Sequence, residues 1–423
     1  MREKLIVVFL LMIVFGASGL SAQQYLSLEK AIDTAITNYG TIRAKEAYTQ
    51  AALTRVEQQK RAYLPNLYLS AQNNFGTVNG QNGPLYAFGG QALASSGLPL
   101  AEQNWNAAFG ALYLANFNWE FFTFGRVKAG IQTAEAGTVK YQRDQEQEVF
   151  NHKIKVTSAY LNLVAARKLS DSYRKNLERA DTLYKVVTAR ARSGLIAGVD
   201  SVQAKAEVSS ARIQLTQAID KEQRQAKDLA VLLGISNSEF VLDSLFFQKA
   251  PSIPLENEQV DPESHPLTLW YASRITEAEQ QRKYLKRTNY PSLILGAAYQ
   301  ARGSGFFSNY AQDQTAYTQN YLDGINPVRG NYVVALGITW NFTQPFRTAS
   351  LVKEQDYLLS GLRAEHDMTR QQLHEELALS ERNIANALAT YHEVPTQLEA
   401  ASLAYRQKRV RYENGLTDLV DVS

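Results

Sequence analysis

Five histidines, His152, His265, His366, His374 and His392, are the side chains best suited to acid–base or metal chemistry near neutral pH. Their spacing builds no such site. His374-Glu375-Glu376-Leu377-Ala378 starts like a zinc-hydrolase helix, but Ala378 stands where the second histidine must be. Gly303-Ser304-Gly305 sets a serine between glycines, yet it falls in a polar loop without the strand-to-helix context of a nucleophile elbow. No Gly-rich phosphate loop occurs. The chain has no cysteine, which excludes disulfides, thiolate metal sites and thiol catalysis. The histidines read as solvated helix-face residues, as do the charge runs Arg143-Asp144-Gln145-Glu146 and Glu375-Glu376. The expectation is a chain that is not an enzyme, with no catalytic residue, no cofactor and no metal ligand.

The informative spacing lies elsewhere. Ser193-Gly194-Leu195-Ile196-Ala197-Gly198-Val199-Asp200-Ser201 interrupts a helical pattern that runs from Arg126 to Arg192 without proline. Gly194 suits a left-handed helix end. Asp200 reads as the next N-cap, with Gln203 completing a capping box. The same turn returns as Gly415-Leu416-Thr417-Asp418-Leu419-Val420-Asp421. Gly194 and Gly415 are 221 positions apart, as are Asp200 and Asp421, Trp119 and Trp340, and Arg126 and Arg347. So long a period indicates a duplicated domain, each copy built on a long helical hairpin.

Those turns need elements to hold them. Arg2 and Lys4, the apolar run Leu5 to Phe15 and the small residues ending at Ala22 have the form of a secretory signal peptide, residues 1–22. The first repeat occupies 23–234. Leu26 to Arg61 is helical, with a break at Asn38-Tyr39-Gly40, and it ends before Pro65. Asn66 to Thr77 alternates with period two, and so does Ala107 to Phe122. Gly76 to Asn104 is a polar loop. Arg126 to Arg192 would extend about 100 Å as a helix, with a seam at Leu169, Tyr173, Leu177, Ala180, Tyr184, Val187 and Ala191. The returning helix sets Ala204, Ala211 and Ala218 seven apart and ends near Gly234. A proline-rich connector spans 235–264. The second repeat, 265–423, replays the order: a helix to Arg287, a strand from Leu293 to Tyr299, a polar loop from Arg302 to Gly330, a strand from Asn331 to Phe342, and a helix from Leu351 to Tyr412 with a kink expected at Pro395. The first half continues about thirty residues beyond its turn, so the duplication expects a partner helix after Ser423.

Charged residues are 20% of the chain and mean hydropathy is −0.30, which excludes a helical membrane protein. A net charge of +3 does not argue for nucleic acid. Four strands carry an apolar, aromatic face with Tyr113, Phe117, Trp119, Tyr332, Leu336, Trp340 and Phe342 on it. These residues are expected to meet lipid, with the aromatics at its interfaces. Strands of ~9–11 residues span a bilayer when tilted. Four cannot stand alone there, because their edges leave backbone groups unpaired. Two copies would close an eight-stranded barrel filled by its own side chains, and three a twelve-stranded one wide enough for water. The alternative is a soluble periplasmic coiled-coil structural or adaptor protein. It would pack the strands on helices of matched length, and these helices are several times longer.

The order of helix, strand, strand and hairpin, given twice, resembles the TolC-like outer-membrane efflux proteins across nearly the whole mature chain. The resemblance is carried by the strand entries Leu64-Pro65 and Tyr290-Pro291, the helix start His265-Pro266-Leu267, and both Gly-Leu-x-x-x-Val-Asp turns. It implies an α+β membrane protein: a homotrimer with a twelve-stranded β-barrel in outer-membrane lipid and a periplasmic tunnel of α-helical hairpins. It implies an exit duct of a tripartite efflux or type I export system, supplied by an inner-membrane efflux transporter through a periplasmic adaptor (membrane fusion) protein. By the same resemblance Gly194, Leu195, Val199, Asp200, Gly415, Leu416, Val420 and Asp421 form the adaptor-docking tip, and Asp421 stands at the pore constriction.

Overall fold

The computed structural model describes residues 25–80, 97–236, 239–243 and 261–417. The signal peptide and most of the connector lie outside the described residues. In order the chain forms β1 (Tyr25–Leu26), α1 (Leu28–Asn38), α2 (Gly40–Lys60), β2 (Asn66–Thr77), β3 (Ala107–Phe122), α3 (Arg126–Arg192), α4 (Gly198–Leu233), β4 (Val241–Leu242), α5 (Pro266–Arg287), β5 (Ser292–Ser304), α6 (Tyr321–Ile325), β6 (Arg329–Thr339) and α7 (Gln344–Glu413). No described helix is long and apolar enough to cross a membrane. Two compact units emerge, and each draws on both repeats. One comprises residues 52–138 and 274–363, the other the remaining described residues.

In the first unit, β2, β3, β5 and β6 form one antiparallel sheet in that order. Strand alternation sorts its side chains. Register places Leu67, Phe117, Ala297 and Val334 in one row, and Ala71, Tyr113 and Ala301 in another, on the same face. Tyr332, Leu336 and Ile338 continue that apolar face on β6. The opposite face carries Gln72, Asn74, Asn116, Asn118, Gln300 and Asn331. The helical segments of this unit follow the order of the strands. Gly130 on α3 lies against Gln59 of α2 and Tyr284 of α5. Arg282 and Glu279 of α5 bond Asp356 and Arg363 of α7 at 2.6 and 2.9 Å.

The second unit holds a core of Ala31, Ala35, Val156, Tyr160, Leu163, Val164, Leu229, Leu233 and Leu242. Helix α1 buries Ala31 and Ala35 and leaves its charged residues outside. Ser27 caps it, accepting from the Lys30 N–H at 3.2 Å. The Tyr160 hydroxyl donates to the Leu26 carbonyl at 2.8 Å. On α4, Ala204, Val208, Ala211 and Ala218 are all buried.

Several boundaries differ from the sequence expectation. The fourth strand ends at Thr339, so Trp340 and Phe342 lie just past it. Asn341 accepts from the Thr343 backbone and hydroxyl at 3.1 and 2.8 Å, a local turn that outcompetes the ladder. Helix α7 then begins at Gln344, seven residues before Leu351. Pro345 is tolerated in its first turn, where a backbone N–H has no partner in any case. Strand β5 continues through Arg302 to Ser304, and the loop beyond it contains α6. Helix α7 runs through Pro395. In the expected α3 seam Leu169 is exposed, and Ser170 takes the buried position, donating to Glu222 at 2.5 Å.

Candidate functional site

The histidines form no constellation. Among the described residues no three His, Cys, Asp or Glu side chains gather as a metal site. His152 is not the solvated residue expected. It is 1% exposed and stacks on Tyr39 with ring centroids 3.7 Å apart. Its Nε2 lies 3.0 Å from the Leu232 carbonyl, which can only accept, so Nε2 carries the proton. Burial pushes its pKa down, against smaller opposing effects of the Leu232 bond and Glu148. This histidine is part of the packing.

The two turns share one geometry. The Gly194 N–H donates to Ala191 and the Leu195 N–H to Arg190, both at 3.0 Å. Gly415 donates to Tyr412 at 3.0 Å and Leu416 to Arg411 at 2.9 Å. This pair of bonds is a Schellman motif. It requires a left-handed residue, and φ is 74° at Gly194 and 71° at Gly415. After the first turn α4 starts at Gly198, three residues earlier than expected. Ala197 occupies the cap without a side-chain bond. Asp200 is therefore not the N-cap. It stands in the first turn, where its charge complements the helix dipole.

The end of α7 packs against this turn. The Tyr412 ring is 6% exposed and lies with Val187 and Ala204 in a small core. Arg190 crosses to the second hairpin, its guanidinium 6.0 Å from the Tyr412 ring and donating to the Glu413 carbonyl at 3.3 Å. Arg179 repeats the arrangement one level on, 5.3 Å from the Tyr405 ring. Among the described residues the buried Tyr412 hydroxyl has no hydrogen-bond partner. Burial first, and Asp200 second, push its pKa up. Leu195, Val199, Val202 and Leu416 are exposed around these turns. Val420 and Asp421 lie outside the described residues. Sequence reasoning missed Arg190, Tyr412 and Val202. The 221-residue period was the available signal, since it aligns Arg190 with Arg411 next to Tyr412.

On the sheet, Tyr332 and Leu336 are 82% and 72% exposed and Trp340 is 49% exposed, so none is covered by this chain's own helices. Phe117 and Trp119 share that face, and Phe342 follows β6. Tyr113 is partly covered: its hydroxyl donates to the Ile325 carbonyl at 3.2 Å, where α6 folds back over the face. Tyr321 of α6 meets Phe109 edge-on at 5.1 Å. Among the described residues the apolar face is open beyond α6.

Residues 31–235 match the family model described as outer membrane efflux protein. No curated protein sequence matches the chain. Solved structures share its fold. The outer membrane protein VceC from Vibrio cholerae is 17% identical with a TM-score of 0.70, covering 93% of this chain and 88% of its own. The Campylobacter jejuni CmeC outer membrane channel is 16% identical with a TM-score of 0.71, covering 93% and 78%. The open state of the Neisseria gonorrhoeae MtrE outer membrane channel is 16% identical with a TM-score of 0.64, covering 93% and 81%.

Proposed function

We propose that this chain, whose residues 31–235 match the outer membrane efflux protein model, is a member of that family and one protomer of a homotrimeric outer-membrane channel. The channel is the passive exit duct of a tripartite efflux or type I export system. One observation carries this reading. Among the described residues the sheet leaves its apolar face open beyond α6, while both its edge strands, β2 and β6, have an unpaired side. Water tolerates neither feature well. Lipid accepts the apolar face, and it requires that the edges be closed.

Closure by copies of the same chain suits the topology. Every neighbouring pair in the sheet is antiparallel, so β6 of one copy can pair antiparallel with β2 of the next. Three copies give a twelve-stranded barrel with Gln72, Asn116, Gln300 and Asn331 facing the water. The strands have 12, 16, 13 and 11 residues, enough for a tilted crossing. In this reading the helices form the periplasmic tunnel. The tip residues Gly194, Leu195, Val199, Asp200, Gly415 and Leu416, with Val420 and Asp421, meet a periplasmic adaptor. The exposed Leu195, Val199 and Leu416 are apolar anchors of the kind that dock into a partner's helical groove.

Fractionation with cross-linking tests the proposal. The chain should enter the outer membrane, need detergent for release, and cross-link as a trimer. Recovery as a monomer in the soluble periplasm overturns it.

A further inference from the structure

The four strand ends that join the long helices carry an excess of positive charge. Within ten residues outside those ends, Lys60 and Arg61 precede β2, and Arg126 and Lys128 follow β3. Arg282, Lys283, Lys286 and Arg287 precede β5, and Arg347 follows β6. Against these nine cations stands one acid, Glu57. Widening each stretch to fourteen residues adds Arg55 and Lys353 but also Glu135 and Glu279, so the excess of eight is unchanged. Glu120, inside β3, lowers it by one. The loop-bearing end of the sheet has no such excess. There the register partners Arg302 and Arg329 are accompanied by Glu102, Asp313 and Asp323.

Some of these cations are already matched. Lys60 pairs with Glu57 at 2.8 Å, Arg126 with Glu120, and Arg282 with Asp356 at 2.6 Å. Arg287 donates to the Phe124 carbonyl at 3.4 Å and lies 5.2 Å from the Tyr290 ring. Lys128, Lys283, Lys286 and Arg347 are exposed and form no ion pair among the described residues. A cleft of about 350 Å³ opens between α5 and α7. Lys283 and Lys286 line it beside the Arg282–Asp356 and Arg363–Glu279 pairs, so both acids of the cleft are engaged and the two lysines are not. Tyr63, Phe122, Tyr290 and Phe342 are exposed at the same strand ends, each nearer the sheet along the chain than the cations.

We infer that this basic belt binds anionic phospholipid headgroups of the inner leaflet of the outer membrane, with Lys283 and Lys286 seating a headgroup phosphate in the cleft. The inference rests on the channel reading, which puts the sheet in lipid and the helices in the periplasm. The order of apolar strand, aromatic residue and cation is the order of depth at a bilayer surface: hydrocarbon, interface, headgroup. The headgroup layer is about 5–8 Å deep on each side. The potential of an anionic surface reaches a further Debye length, about 8 Å at physiological salt. Ten residues at helical rise extend about 15 Å, so the belt lies within that reach. Clusters of about four to eight Lys or Arg beside a membrane-embedded segment recognise such surfaces. Continuity with the apolar face favours lipid over a soluble polyanion.

The test is tryptophan quenching in the full-length protein reconstituted into phosphatidylcholine vesicles. A W105F/W270F parent leaves Trp119 and Trp340, which sit beside the belt, as the reporters. Dibrominated phosphatidylglycerol and dibrominated phosphatidylcholine are compared at equal mole fraction. Phosphatidylglycerol should associate several-fold more strongly, and the preference should fall as NaCl is raised. Adding K128Q/K283Q/K286Q should bring the ratio toward one, while K283R/K286R should preserve it. Equal quenching by the two lipids in the parent overturns the inference and leaves the channel intact; co-sedimentation of the parent with purified peptidoglycan would then assign the belt to that polymer. A preference that survives the glutamine variant overturns it as well. If neither lipid quenches, the sheet is not in the bilayer, and the channel reading fails with the inference.

Discussion

Trp119 and Trp340 make the same bond in the two repeats. Each indole Nε1 donates to a backbone carbonyl at the entry to a strand, Tyr63 at 2.7 Å and Asn289 at 3.0 Å. Each acceptor stands two residues before a proline, Pro65 or Pro291, which commits the chain to leave the helix. The duplicated indole thus ties the segments that follow α2 and α5 to strand β3 and to the residues just past β6.

Replacing either indole by phenylalanine keeps the ring and removes the bond. Trp119→Phe and Trp340→Phe should each cost about 1 kcal/mol, the net value of one hydrogen bond. Thermal unfolding of the purified protein should show similar shifts for the two. A loss in only one variant would mean that the repeats are not anchored alike.

Tyr412 offers a sharper contrast. Its ring is packed, and its buried hydroxyl has no partner among the described residues. Tyr412→Phe should be neutral or stabilise by up to about 1 kcal/mol, because it removes an unsatisfied polar group. Tyr412→Ala should loosen the contact between the two hairpin ends by about 3 kcal/mol. Protease sensitivity near Arg190 and Glu413 reads both. Equal sensitivity in the two variants would show that the ring does not hold the hairpins together.

The turn glycines sit at positive φ with open space where a Cβ would be. Backbone strain, without a steric clash, is therefore the cost of substitution. Gly194→Ala and Gly415→Ala should each cost about 1 kcal/mol. Gly194→Pro should cost more, because it also removes the N–H that bonds Ala191. It should impair efflux while trimers still assemble. Loss of trimer in Gly194→Pro would argue against a role confined to docking.

His152 sets a pH response. Its folded-state pKa lies below the unfolded value of about 6.5, so its contribution is complete above that pH. The contribution is lost as pH falls through 6.5 toward the folded value, because the unfolded chain binds the proton first. His265, held down by burial as well, adds in the same direction. Denaturation followed from pH 7.5 to 5 should show falling stability, and a shallower slope in His152→Phe, which retains stacking on Tyr39. An identical slope would remove His152 from the response.

The two sheet faces should differ in tolerance. Leu336→Arg on the apolar face should cost about 2–4 kcal/mol near the bilayer midplane and reduce outer-membrane assembly. Asn331→Lys on the polar face should assemble normally. The reverse pattern would invert the assignment of the faces.

The sequence alone determined the elements whose signal is local. Strands β2 and β3 and helix α3 begin and end where the switch between period 2 and period 3.6 places them, because side-chain alternation follows from backbone geometry. Gly194 and Gly415 were legible for a similar reason, since only a residue without Cβ takes that φ freely. Family resemblance supplied the tip, whose Val420 and Asp421 lie outside the described residues. Tertiary structure decided the rest. The opposition of Arg302 to Arg329, the cover of Tyr113 by α6, the burial of His152 against Tyr39 and the crossing of Arg190 to Glu413 each join residues far apart in the chain. Such contacts depend on register and packing across elements, and no local period encodes which partner a residue will meet.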